Sequence, residues 1–156
     1  FLRNFEFRAN LTLVRSNSTY DQYGITINDD GELEQGPFQA RVSRSMYGQA
    51  PYILNNIVNF KLDSAGLMVT LSHNFQGPKL VIPGLFMMPD VYEYPRHILD
   101  AKISKTLGKY FSVSLTVRDI LRSSERRTYR LDGKWLNDYD RYTYGTIYLL
   151  TVSYKL

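Results

Sequence analysis

The sequence predicts an all-β chain: an antiparallel, up-and-down set of about six strands, long enough to cross a membrane and too few to close a barrel alone. Three observations point there. Apolar residues recur with a period of two over segments of roughly 10 to 14 residues. The connections between those segments alternate between very short and long. Aromatic side chains gather near both ends of the segments.

The first segment, 3–16, places Phe5, Phe7, Ala9, Leu11 and Leu13 on one face and Glu6, Arg8, Asn10 and Thr12 on the other. The second, 51–62, sets Tyr52, Leu54, Val58, Phe60 and Leu62 against Asn55, Asn59 and Lys61, with Pro51 at a strand-opening position. The third, 66–76, opposes Leu67, Val69, Leu71 and Phe75 to Thr70, Ser72, Asn74 and Gln76. The fourth, 97–107, opposes Leu99, Ala101, Ile103 and Leu107 to Asp100, Lys102, Ser104 and Thr106. The fifth, 110–121, opposes Phe111, Val113, Leu115 and Val117 to Ser112, Ser114, Thr116 and Arg118. The sixth, GTIYLLTVSYKL (145–156), carries Tyr148, Leu150, Val152, Tyr154 and Leu156 on one face. No helix is expected beyond a single turn in DILRSSERR, 119–127.

DSAG (63–66) and LGK (107–109) read as tight hairpins, with Gly where a positive φ is needed. The other connections, 17–50, 77–96 and 122–143, read as long polar loops. Outer-membrane barrels have this asymmetry, with short periplasmic turns and long external loops. A strand of ~11 residues at ~3.3 Å rise, tilted ~45°, spans about 25 Å, the height of the apolar band. If the last strand runs down to the periplasm, both short turns fall on the periplasmic side. Tyr52, Phe75 and Tyr148 then mark the outer interface, and Phe5, Phe60, Phe111 and Tyr154 the inner one. His73 and Lys105 are the polar exceptions on the apolar faces, Lys105 being near enough to the inner end to snorkel. A soluble β-sandwich and a lipocalin-like barrel are the alternatives.

Composition excludes more than it proposes. There is no Cys, hence no disulfide, thiol nucleophile or thiolate metal site, and two His are too few for a histidine-rich one. The net charge of +4 is spread over Lys and Arg mixed with acids, a solvated surface rather than a nucleic-acid groove. No apolar run reaches the length of a membrane helix, and no stretch of these residues is expected to act as a signal peptide. The chain opens on FLRNFEFRANLTLV without Met and within a patterned segment, which suggests a piece of a longer protein. No cofactor motif or catalytic triad stands out, so an enzyme is not expected. NDDGELE (28–34) is an acidic loop tip without calcium-loop spacing. Candidate contacts to a ligand or partner are Leu85, Phe86, Met87 and Met88 in the apolar stretch 77–95, and Trp135, Tyr139 and Tyr142 in KWLNDYDRYTY.

Three stretches carry a family likeness: YGQAPYILNNIVNFKLDSAGLMVTLSHNFQG (47–77), PDVYEYPRHILDAKISKTLGKYFSVSLTVRDIL (89–121) and the closing strand. Together they resemble the C-terminal barrel end of TonB-dependent outer-membrane receptors, those of the Bacteroidota most closely. Gly48, Gln49, Pro51, Tyr52 and Asn55, then Tyr94, Pro95, Arg96 and Asp100, then Asp119, carry the match, which covers the chain from about residue 41 onward. The resemblance implies a 22-strand barrel around an N-terminal plug, with this chain as its last six strands. It implies nutrient import (siderophore, vitamin, glycan or peptide) and location in the outer membrane of a Gram-negative bacterium, with a periplasmic C-terminus. The implied partners are outer-membrane lipid, the rest of the barrel and its plug, and TonB through an upstream segment not present here. Other outer-membrane proteins are implied partners through the outer loops. The closing strand, with Gly145, Tyr148, Leu150, Val152, Tyr154 and Leu156, resembles the β-signal read by the barrel-assembly machinery, although it ends in Leu where many end in Phe. A structural barrel subunit of a larger secretion or assembly complex is the other functional reading.

Overall fold

The computed structural model describes residues 2–85 and 88–155, and it omits the side chains of Thr26 and of 37–40. In chain order the strands are β1 (Phe5–Leu13), β2 (Ser18–Ile27), β3 (Leu33–Arg44), β4 (Tyr52–Leu62), β5 (Leu67–Gln76), β6 (Lys79–Ile82), β7 (Asp90–Glu93), β8 (Arg96–Leu107), β9 (Phe111–Arg118), β10 (Glu125–Leu131), β11 (Lys134–Tyr142) and β12 (Ile147–Tyr154). All pairings are antiparallel. The six strands expected from the period of two form one up-and-down sheet, β1-β4-β5-β8-β9-β12. A four-stranded sheet, β11-β10-β7-β6, and the β2–β3 hairpin occupy the long connections.

The pairing register gives the six-stranded sheet two unlike faces. One row runs Phe5, Phe60, Val69, Ile103, Leu115, Leu150, and the next runs Phe7, Val58, Leu71, Ala101, Val117, Tyr148. Rows of the opposite face are mainly polar and cross-linked, with Ile53, Ile57, Met68, Ile98, Ile147 and Leu149 interspersed: Asn59 donates to Glu6 at 3.1 Å, Thr70 to Asn59 at 2.8 Å, and Asn74 to Asn55 at 2.7 Å. Aromatic pairs mark both ends of the apolar face. Tyr52 and Phe75 meet at 5.5 Å near the long connections; Phe5 and Phe60, and Phe111 and Tyr154, each meet at 4.8 Å near the short turns.

The strand ends drift steadily across this sheet. Phe5 begins β1 level with Leu150, and β12 continues four residues beyond, to Tyr154. Phe7 is level with Tyr148; past that row β1 runs six more residues to Leu13 and β12 only one, to Ile147, a difference of five. The drift is therefore about one residue per strand-to-strand step. At ~3.3 Å rise and ~4.8 Å spacing, strands of a sheet with level rims would lean ~35°.

The short turns are as expected. Asp63–Ala65 forms one 3-10 turn closed by Gly66 at φ 58. Gly66 is required twice over, because a Cβ there would also come within 3.2 Å of Thr106. Lys105 bends its stem to this turn and its ammonium donates to the Ala65 carbonyl.

Two expectations need correction. The long connections are not irregular polar loops: they are largely strand, β2–β3, β6–β7 and β10–β11. No helical turn forms in 119–127 either, because Asp119 and Arg122 hold φ of 50 and 52, the left-handed region, which interrupts any right-handed helix. Glu125 already belongs to β10.

Very little of the chain is interior. Among the described residues, Ala50, Leu80 and Val91 are the buried apolar side chains. The exposed surface is 11504 Å², against the ~8100 Å² expected of a folded monomer of 18.2 kDa. Among the described residues no side chain of the six-stranded sheet is fully buried, as a second sheet packed on either of its faces would require. β1 and β12 are open edges.

Candidate functional site

The end of the sheet that carries the long connections holds the polar chemistry, and the residues of the family likeness join the two. Gly48 (φ 73) donates its N–H to the Leu80 carbonyl at 2.8 Å. The Asp100 carboxylate on β8 accepts the Asp119 N–H at 2.9 Å. Asp119 in turn accepts the Ser123 N–H at its own carboxylate at 3.0 Å and the Thr146 hydroxyl at its carbonyl, also at 3.0 Å. This clasp fixes the departure of β9 toward β10 and the return into β12. Replacing Asp100 by Ala leaves a half-buried N–H unpaired, and a loss of about 1–3 kcal/mol is expected in urea unfolding. Asp100→Asn, which keeps an acceptor oxygen, should retain most of the stability. A change within ~0.5 kcal/mol for the Ala variant would remove the clasp from the account.

The four-stranded sheet buries Leu80 and Val91 but carries charged side chains on both faces. Along one face Lys79, Glu93, Arg127 and Asp140 are cross-strand neighbours on β6, β7, β10 and β11, so charge alternates from strand to strand. Lys79 pairs with Glu93 at 2.9 Å, and Arg127 reaches both Asp140 and Glu125 at 3.2 Å. Arg96 at the start of β8 lies 3.7 Å from Glu125, tying the two sheets together. The other face is built from arginine and aromatic rings. Arg130 lies 5.2 Å from the Tyr92 ring and 4.9 Å from the Trp135 ring, and Arg126 lies 5.0 Å from Tyr94. The Arg126 guanidinium holds the Asp138 carboxyl below the usual carboxylate range; burial opposes this and the Thr128 hydroxyl adds to it. Burial pushes the Tyr92 hydroxyl up, and Asp90 adds to that shift. Tyr92 therefore stays neutral beside Arg130 at ordinary pH.

The candidate contact residues are dispersed. Trp135 packs on Tyr94 at 4.9 Å and Tyr92 at 6.4 Å. Tyr139 stands edge-on to Tyr129 at 5.7 Å, and Tyr142 lies under Arg127. Leu85 and Met88 are exposed at the β6–β7 connection, on the far side of the sheet from β11. Phe86 and Met87 lie outside the described residues. In the closing strand, Gly145 takes φ 79 just before β12, and Tyr148, Leu150, Val152 and Tyr154 share its exposed apolar face. Leu156 lies outside the described residues.

Sequence reasoning missed the arginines. Arg44, Arg126, Arg127 and Arg130 organise this end, and the signal for three of them was the Asp132-Gly133 pair between ERRTYRL and KWLNDYDRY. Of a polar insertion in the apolar face it found His73 but not the partners of that residue. Asn56 shares that face with His73 and His97: the Asn56 amide lies 3.3 Å from His73 Nδ1, and His73 Nε2 lies 3.0 Å from His97 Nδ1. NDDGELE turns out to be the β2–β3 turn, with Asn28 accepting the Glu32 N–H at 2.8 Å. Among the described residues no three carboxylate or imidazole groups converge as a metal site.

No protein-family model, no curated protein and no solved structure matches the chain.

Proposed function

We propose that the chain is a wall section of an outer-membrane β-barrel, with the apolar face of the six-stranded sheet against lipid and the polar face toward the lumen. Within that class we read it as part of a TonB-dependent receptor that imports a nutrient, whether siderophore, vitamin, glycan or peptide.

The observation that carries the first step is the uncovered apolar face. Six strands at ~4.8 Å by about eight residues at ~3.3 Å give roughly 700 Å² in projection, above the few hundred that soluble monomers leave exposed. Phe7 (66% exposed), Leu11 (60%), Leu150 (68%) and Val152 (62%) are left open on it. Lipid is the cover that matches one apolar face backed by one polar face. The drift of about one residue per step supports the same reading, since barrel strands must lean ~35–45°. Two open edges support continuation of the sheet on both sides, six strands being below the minimum of about eight for a closed membrane barrel. On this reading the short turns and the end of β12 face the periplasm, and the four-stranded sheet stands outside. The second step rests on the family likeness at Gly48, Gln49, Pro51, Tyr52, Asn55, Tyr94, Pro95, Arg96, Asp100 and Asp119.

The test is deletion of the gene followed by uptake assays across siderophores, vitamins, glycans and peptides, beside fractionation of the protein. Outer-membrane partition with loss of uptake of one compound class is expected. A protein that stays soluble without detergent overturns the barrel. Outer-membrane location with every uptake intact overturns the receptor alone. That last result would favour a structural barrel in a secretion or assembly complex, for which the exposed Leu85 (57%) and Met88 (67%) offer an apolar tip to a partner.

A further inference from the structure

Arg130 is the odd member of its set. Arg44 pairs with Asp90 at 2.8 Å, Arg96 with Glu125, Arg126 with Asp138, and Arg127 with two carboxylates. The Arg130 side chain has neither a carboxylate partner nor a hydrogen bond among the described residues, and its Nε is buried without one. It nevertheless rests against the rings of both Tyr92 and Trp135, which themselves meet edge-on at 6.4 Å. Such placement removes the conformational freedom that a long cationic side chain otherwise loses on binding. The residue borders a cleft of about 300 Å³ between the β2–β3 hairpin and the four-stranded sheet. Ser45 lines the same cleft and supplies a hydroxyl, whereas the Ser43 hydroxyl, also in the lining, is donated to Asn17 Oδ1 at 2.7 Å.

We infer that this cleft binds the carboxylate of a ligand, with Arg130 as the cation that receives it and the Ser45 hydroxyl as a neutral partner. Two arginines and two carboxylates make the lining neutral overall, so it takes at most a singly charged anion. Arg44 pairs with Asp90, and Asp132 also lines the cleft, which leaves Arg130 as the lining arginine without an ion pair among the described residues. A carboxylate matches one guanidinium fork in shape and in charge. A phosphate dianion would bring a second negative charge toward Asp132. The aromatic faces of Tyr92 and Trp135 are taken up by Arg130 itself, so a stacked neutral sugar ring is not what the cleft is built for. The inference rests on the receptor reading only for calling this ligand a cargo; binding itself requires no transport.

The test is isothermal titration of the detergent-solubilised protein with glucuronate, glucose and glucose 6-phosphate, which share a sugar ring and differ in charge. Saturable binding of glucuronate and none of glucose is expected. Arg130→Gln should weaken glucuronate about tenfold or more, the scale of hydrogen bonds to a charged group. Arg130→Lys, which keeps the charge and the stacking stem but loses the fork, should fall between the two. Arg141→Gln, an exposed arginine on the same sheet, should change nothing. The inference is overturned if the unmodified protein binds none of the three, or binds glucose as well as glucuronate. It is equally overturned if glucose 6-phosphate binds more tightly than glucuronate, or if a folded Arg130→Gln protein binds glucuronate as tightly as the unmodified one. Uptake measured on the same cells separates this from the receptor reading: transport can persist while the cleft proves inert, and the cleft can bind in a protein that transports nothing.

Discussion

Leu71→Arg is expected to destabilise the protein by about 2–4 kcal/mol, while Ser72→Arg, one residue further along the same strand, is expected to change stability by no more than ~0.5 kcal/mol. Leu71 sits mid-strand in the row Phe7, Val58, Leu71, Ala101, Val117, Tyr148, and its side chain is 41% exposed. On a water-facing surface a half-exposed leucine tolerates arginine. In the middle of a lipid-facing band the guanidinium must shed water or thin the bilayer, and the cost is that of a midplane cation. Ser72 points the other way, beside Ile57 and Asp100, into the polar face. The sign of the difference between the two variants is thus set by which solvent covers the apolar face. Urea unfolding of the protein reconstituted in liposomes measures it. Equal, small effects would mean that water, not lipid, covers Leu71, and the barrel reading would go with it.

The parts of this fold that could be read from the sequence share one physical cause. A strand with one apolar and one polar face writes its period of two directly into the chain. The segment 51–62 matches Tyr52–Leu62, 66–76 matches Leu67–Gln76, and 97–107 matches Arg96–Leu107 within a residue. The strands of the long connections carry no such record. In β10 and β11 one face is held by Arg127, Glu125 and Asp140 and the other by Arg126, Arg130 and Trp135, so both faces are polar or amphipathic and hydropathy does not alternate. Their one legible mark was Asp132-Gly133, whose φ of 48 and 79 are those of the mirror-image hairpin turn. Asn56 was hidden for a different reason. A polar residue on an apolar face reads as an interruption until its partner is known, and His73 lies one strand away. The charge pairing that leaves Arg130 alone depends on which strands become neighbours, which no local pattern records.

Val152→Pro against Thr151→Pro tests whether the sheet continues past β12. The hydrogen bond from the Lys155 N–H to the Tyr110 carbonyl, at 2.8 Å, sets the alternation along that strand. With the register Thr151↔Ser114 and Val152↔Val113, the Thr151 N–H points at β9 and the Val152 N–H points at the open edge. Proline at Thr151 removes a ladder bond in any circumstance. Proline at Val152 removes nothing from this sheet, and on a true edge strand it would be accommodated. If β12 is joined to a further strand in the assembled barrel, the Val152 N–H is a ladder donor too, and its loss should be as harmful as that of Thr151. The expectation is that both proline variants abolish the folded, heat-modifiable species in the outer-membrane fraction, while Val152→Ala, which loses only side-chain area, retains it. The four residues whose backbone groups face that edge, Tyr148, Leu150, Val152 and Tyr154, are the same ones that carry the apolar face. Any strand that joined them would extend both the ladder and the apolar face in a single step. A Val152→Pro protein that assembles normally would make β12 a free edge and leave the larger barrel without a seam.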